Sequence, residues 1–87
     1  MTAQEELKKM ITGVNSANVV TVEGRGIIAS NCNKLYNLIE KKVINTEKCW
    51  MLEGAYKDLF EGNFSTPFHC EQKRHTFKVC AEIYKDL

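Results

Sequence analysis

The sequence has little net charge and no long apolar run. Twelve lysines and arginines are balanced by eleven aspartates and glutamates, so that the net charge is +1. A protein that binds a polyanion usually carries a basic tail or face, and a membrane-spanning helix needs roughly 18 apolar residues in succession. Both classes are therefore disfavoured. The composition, with 44% hydrophobic residues, is typical of a globular protein and predicts a single compact domain over residues 1–87.

The N-terminal stretch lacks the apolar segment of a secretory signal. It reads Met-Thr-Ala-Gln-Glu-Glu, which is polar and acidic. We therefore expect a cytoplasmic protein, in which cysteines stay reduced.

Metal-binding motifs are also missing. Four cysteines are present, and none of their spacings matches a zinc knuckle of the C-x₂-C kind. They are Cys32, Cys49, Cys70 and Cys80. Because they fall on the apolar sides of predicted helices, we interpret them as buried core thiols and predict no metal site. In an oxidising compartment the same residues would form two disulfides, with three connectivities open.

No catalytic motif is present either. The sequence contains no G-x-S-x-G and no H-E-x-x-H. His69 precedes Cys70, but neighbouring side chains on a helix point about 100° apart and do not form a nucleophile–base pair. We predict that the protein is not an enzyme, with no catalytic residues and no cofactor.

Helix signals are frequent, and they are clearest near the C-terminus. Thr66-Pro67 is typical of an N-cap followed by the first helical residue, and no Gly or Pro follows. This predicts a helix near residues 67 to 85. The alternation of Phe77, Val79, Ala81 and Ile83 leaves a β-hairpin as the alternative, although residues 71–74 offer no turn-forming residue.

Three further helices are predicted near residues 3 to 12, 31 to 44 and 47 to 61. The first has a capping box at Thr2 and a stop at Gly13. The second and third begin after Ser30 and Thr46, which are good N-caps.

Two short apolar runs lie between the first and second predicted helices. Val19 to Val22 reads as a strand, and Ile27 to Ala29 pairs with it as a hairpin across Gly24-Arg25-Gly26, or else opens the next helix. With the hairpin favoured, the fold class is α+β, predominantly helical, with a short β-ribbon packed on four helices in the order α-β-β-α-α-α.

The stretch from Asn18 to Ser30 reads Asn-Val-Val-Thr-Val-Glu-Gly-Arg-Gly-Ile-Ile-Ala-Ser. Flanked by helices, it resembles the middle of Alba-type nucleic-acid-binding domains, in which an Arg-Gly follows a strand. The resemblance implies a nucleic-acid partner as the alternative function. The basic residues available for phosphate contacts are Arg25, Lys34, Lys41 and Lys42, joined by Lys73 and Arg74 if the fold brings these two nearby.

The first hypothesis for function is a non-catalytic protein-binding module that acts as an inhibitor or adaptor. Small proteins of this kind are common among the products of phages and mobile elements, which is an analogy only. The candidate contacts are Arg25, at the tip of the ribbon, with Lys41, Lys42 and Trp50. Trp50 has a second interpretation as a core residue. The sequence does not predict an oligomeric state.

Overall fold

The structure is a computed structural model that describes residues 3–41, 54, 56–59 and 64–84. It contains three long α-helices, which we label α1 (Ala3–Ser16), α2 (Val22–Glu40) and α3 (Pro67–Tyr84), and a short 3₁₀ helix (Tyr56–Leu59). The described part of the chain contains no strand. The predicted α+β class with a β-ribbon is therefore wrong, and all regular secondary structure in the described residues is helical.

The residues of the predicted ribbon form a loop and the start of α2. Thr21 has an extended backbone, with φ −93° and ψ 151°, and its Oγ1 accepts a hydrogen bond from the Gly24 N–H at 3.0 Å. The Arg25 N–H donates to the Thr21 carbonyl at 3.1 Å. Thr21 is thus an N-cap, and its hydroxyl satisfies an N–H that has no partner within the helix. The run Ile27 to Ala29 consequently lies inside a helix.

The predicted first helix is confirmed as α1, but it continues past Gly13. Its buried residues are spaced by three and four positions, which keeps them on one face. They are Leu7, Met10 and Val14, and Ala17, directly after the helix, is buried as well. Val14 is fully buried, and its burial stabilises the helical turn that follows Gly13 by more than the roughly 1 kcal/mol that a glycine costs.

The second predicted helix is confirmed in its central part, but α2 begins at Val22, well before the expected residue 31. A single buried stripe extends along it. The stripe consists of Gly24, Ile28, Cys32, Leu35 and Ile39. The helix ends at Glu40 with Lys41 as its C-cap, and residues 42–44 lie outside the described residues.

The predicted C-terminal helix is confirmed as α3, and the hairpin alternative is wrong. Thr66 caps it, since its Oγ1 accepts from the His69 N–H at 3.3 Å and its carbonyl accepts from the Cys70 N–H at 2.9 Å. Pro67 occupies the first helical position, where its missing N–H has no intrahelical partner to lose. The buried residues of α3 are Cys70, Phe77, Cys80, Ala81 and Tyr84.

The helix predicted near residues 47 to 61, together with Trp50, lies largely outside the described residues. Among the described residues of this stretch, Tyr56–Leu59 form a 3₁₀ helix. Tyr56 and Leu59 are buried, and the Tyr56 hydroxyl donates to Glu40 Oε1 at 3.3 Å. The 3₁₀ helix therefore packs near the C-terminal end of α2.

The core lies between the three α-helices and the 3₁₀ helix, and every described element contributes to it. Apart from Tyr56 and Tyr84, the contributing side chains are apolar residues and three cysteines, and no buried charged residue is found among the described residues. None of the helices described here is both long enough and apolar enough to cross a membrane.

Candidate functional site

Two arginines bind the backbone carbonyls of the loop between α1 and α2. Arg25 Nη1 donates to the carbonyls of Val19 and Val20, at 2.9 and 3.0 Å. Arg74 Nη1 donates to the Ala17 carbonyl at 3.1 Å. Because the first of these arginines is on α2 and the second on α3, they hold the N-terminal parts of both helices against this loop.

Arg74 is itself oriented by a carboxylate. Its Nε donates to Glu71 Oε1 at 3.2 Å, and its Nη2 donates to the second oxygen of the same group. The bidentate pair is partly exposed, so it adds little to stability by itself. What it does is fix the plane of the guanidinium so that Nη1 faces the Ala17 carbonyl.

Gly24 is the point at which the loop and α2 come closest. A Cβ built on Gly24 would lie 1.7 Å from the carbonyl oxygen of Asn18 and 2.6 Å from its nitrogen. No side chain fits at that distance, and the atoms in the way belong to the backbone. The loop can cross the first turn of α2 only because residue 24 is a glycine.

A groove opens on the outer side of α2 at this end of the molecule, with a volume of about 460 Å³. We call it the α2 groove. One side is formed by residues of α2 and the other by the segment that precedes α3. Its lining residues are Val22, Arg25, Gly26, Ala29, Phe64 and Ser65.

The α2 groove is mainly apolar, and it is open. Val22 is 78% exposed, and Gly26 has no heavy atom within 4 Å of a Cβ built on it. Val22, Gly26 and Ala29 are spaced by four and three residues and therefore lie on one face of α2. Phe64 is half-buried, since it packs against the core. The result is a shallow apolar channel with an arginine beside it.

A larger groove, of about 620 Å³, lies along α3. Its lining is more polar and includes charged residues of both signs. The lining residues are Asp58, Phe68, Glu71, Gln72, Lys73, His75 and Thr76. Lys73 Nζ binds the Asp58 carbonyl across it. Water solvates such a surface well, so we regard the smaller, more apolar α2 groove as the better candidate for a binding site.

The three described cysteines are buried and free of disulfides. Burial raises the pKa of the Cys32 thiol to about 12, and the neighbouring Cys70 contributes to the increase. Burial also raises the pKa of the Cys70 thiol, although the charges of Arg25 and Arg74 oppose this effect. A thiol with a raised pKa is a poor nucleophile and a poor metal ligand, because both roles require the thiolate.

Among the described residues, no three His, Cys, Asp or Glu side chains are grouped closely enough to hold a metal ion. Cys49 lies outside the described residues. The absence of a metal site and of catalytic residues therefore stays a prediction.

The predicted contact residues are not brought together. Arg25 is half-buried near the start of α2 and borders the α2 groove, not a ribbon tip. Lys41 is exposed at the C-cap of α2, sixteen residues further along and therefore about 24 Å away. Lys42 and Trp50 lie outside the described residues. That these four residues contact a partner remains a prediction.

Val22, Gly26, Ala29 and Phe64 were not among the predicted contact residues. The first three were assigned to a ribbon, which would have separated their side chains. A signal for the correct assignment was present, since Thr21 is a good N-cap and Glu23 is an acidic residue in the first turn of α2. No comparable signal marks Phe64.

No family model, curated protein or solved structure matches this chain.

Proposed function

We propose that this protein is a small protein-binding module, acting as an inhibitor or adaptor, and that it docks on its partner through the α2 groove. The observation that carries the proposal is the exposure of Val22 beside an open, apolar channel on α2. Single exposed apolar residues are common on protein surfaces, but a grouped set beside a concave surface is typical of interaction sites.

The surroundings of the groove have the composition of a protein interface. Such interfaces combine an apolar centre with a polar rim, and arginine is enriched in them. Here the apolar side chains of Val22, Ala29 and Phe64 are flanked by Arg25 and Ser65. Val20, which is 70% exposed on the adjacent loop, adds to the apolar surface near the groove.

The loop contacts make this surface rigid before any partner arrives. Thr21 caps α2, and Arg25 and Arg74 bind the loop carbonyls. A surface whose backbone is already ordered loses less conformational entropy on binding, which favours affinity.

Nucleic-acid binding remains the second hypothesis, and the contacts of the basic residues support it less well. Arg25, Lys73 and Arg74 direct hydrogen bonds to protein carbonyls, which uses part of their capacity to bind phosphate. Lys34 and Lys41 are exposed, and their spacing of seven residues puts them on one face of α2. Binding of labelled DNA or RNA that falls steeply with salt would favour this hypothesis over protein docking.

The experiment that tests protein docking compares two matched substitutions in a quantitative affinity capture from the source cells. Val22→Glu places a charge in the α2 groove, at a helix N-terminus where an acidic residue is tolerated well. Val79→Glu places the same charge at an exposed apolar residue of α3 that does not line the groove.

We expect wild type and Val79→Glu to retain the same partner, and Val22→Glu to retain at least tenfold less, which corresponds to about 1.4 kcal/mol. Circular dichroism of all three proteins checks that the fold is kept. The proposal is wrong if Val22→Glu retains the partner as well as wild type, or if no protein is retained reproducibly by wild type.

A further inference from the structure

The inference that follows rests on the proposed function and concerns the kind of segment that the α2 groove takes. Peptide segments are commonly recognised as added strands or as helices laid in grooves. An added strand needs an exposed sheet edge, and the described part of this protein has no strand. The groove therefore favours a helix.

The floor of the groove suits the close approach of a helix. At Gly26 there is no side chain, and a Cβ placed there would have no neighbour within 4 Å. Ala29, one turn further along the same face, is also small. Because the distance between packed helices depends on the side chains at the point of contact, small residues at this crossing allow the axes to come near the lower end of the usual range of about 8–10 Å.

The electrostatic features of the groove define the charge of the occupant. The Arg25 guanidinium is held in place by Nη1, while its Nε and Nη2 make no hydrogen bond to the described residues. These two donors form a fork that matches a carboxylate.

The helix termini add to this positive potential. Ser65 lies just before the N-terminus of α3, and the first turn of α3 contains no acidic residue. A helix N-terminus carries a partial positive charge that a carboxylate offsets. Glu23, the acidic residue in the first turn of α2, does not line the groove.

We propose that the α2 groove binds an acidic amphipathic helix of a partner protein. The small apolar residues of that helix pack on Gly26 and Ala29, between Val22 and Phe64. A glutamate or aspartate of the helix binds Nε and Nη2 of the Arg25 guanidinium.

The test uses synthetic peptides as probes, since the natural partner is unidentified. Three helical peptides of about 15 residues share one Ala/Leu face and differ only in the polar face, which carries Glu, Gln or Lys. Each is titrated into isotope-labelled wild-type protein, and amide chemical shifts are followed by NMR.

We expect the Glu peptide to perturb the amides of Val22, Gly26, Ala29 and Ser65 and to bind at least about tenfold more tightly than the Lys peptide at low salt. The preference should shrink as salt is raised, because screening weakens exposed charge pairs. Equal affinities, tighter binding of the Lys peptide, perturbations centred elsewhere or no binding of any peptide would each overturn the inference.

Two variants make the test specific. Arg25→Gln removes the charge, so the Glu peptide should bind it no more tightly than the Gln peptide. Gly26→Leu fills the groove and should abolish the binding of every peptide. If the Glu preference survives in Arg25→Gln, the assignment of Arg25 is wrong.

The outcome is separable from that of the proposed function. If wild type captures a partner that Val22→Glu loses, while the three peptides bind alike, the inference fails and the docking proposal stands. If Val22→Glu retains the partner, the docking proposal itself fails, whatever the peptides show.

Discussion

At the scale of single residues, two glycines two positions apart in α2 have opposite roles. Gly24 is required because the Asn18 backbone occupies the space of its missing Cβ, whereas Gly26 faces the open groove. The same substitution should therefore have opposite effects at the two positions.

We expect Gly24→Ala to lower the free energy of unfolding by roughly 1–3 kcal/mol or more, because a backbone segment has to move. Gly26→Ala should raise it by roughly 0.5–1 kcal/mol, since alanine favours the helix and meets no neighbour. Urea denaturation of both variants measures this difference. A tolerated Gly24→Ala would show that the loop does not cross α2 as described.

The burial of Cys32 predicts how the stability of the protein depends on pH. The thiol is fully buried, and its pKa is raised from 9.0 to about 12. Its contribution to stability is therefore fully present below pH 9 and is lost as the pH rises towards 12, because only the unfolded chain then ionises readily.

Between pH 9 and 11 the free energy of unfolding of wild type should fall faster than that of Cys32→Ala, by about 1.4 kcal/mol per pH unit. Cys32→Ala is the control for wild type, because the two proteins share all other titrating groups. Parallel pH profiles for the two proteins would show that Cys32 ionises in the folded protein as easily as in the unfolded chain.

At the scale of the helices, one long side chain adds a hydrogen bond to the packing of α3 against the end of α1. Arg74 reaches from α3 to the carbonyl of Ala17, just beyond the end of α1, where carbonyls have no intrahelical partner. Hydrogen bonds from a charged donor are worth more than neutral ones.

We expect Arg74→Met to lower the free energy of unfolding by about 1.5–3 kcal/mol. Lys78→Met is the matched control. It removes a positive charge from an exposed position one turn further along α3 and should change stability by less than about 0.5 kcal/mol. Thermal or urea unfolding that gives equal effects for both variants would contradict the proposed link.

The helices also show how far the sequence predicts this structure. The predicted α3 agrees closely with the observed helix, because its start is marked by local chemistry at Thr66 and Pro67 and nothing interrupts it. The start of α2 was missed because Val19 to Val22 favours a strand on local pattern. This segment instead belongs to the loop between α1 and α2 and to the start of α2. The carbonyls of this loop are bound by Arg25 and Arg74. A hydrogen bond between residues 74 and 17 cannot be predicted from the local sequence pattern.

The α2 groove could not be predicted from the sequence for the same reason. Its α2 side follows from the helical assignment of Val22 to Ala29, and its other side comes from Phe64 and Ser65, which are distant in sequence. Of the predicted contact residues only Arg25 borders it, and Arg25 had been assigned to the tip of a ribbon.

At the scale of the whole molecule, the described residues form a buried core and, beside it, an open apolar groove. The core side chains come from all four described elements, and the loop end is held by two arginines. The α2 groove lies at this rigid end. An apolar groove that stays open to solvent does not contribute to the stability of the fold. We propose that its role is docking to a partner.

The central claim is that the α2 groove is the docking surface, and one pair of variants at Gly26 tests it most directly. Gly26→Ala adds a single methyl group and leaves most of the groove open, whereas Gly26→Leu fills it. Neither side chain meets another part of the protein at the Cβ, so both variants should fold. The measurement is the amount of partner retained by each variant, relative to wild type, in the quantitative affinity capture. We predict that Gly26→Leu loses the partner and that Gly26→Ala retains most of it, whereas full retention by a correctly folded Gly26→Leu would contradict the claim.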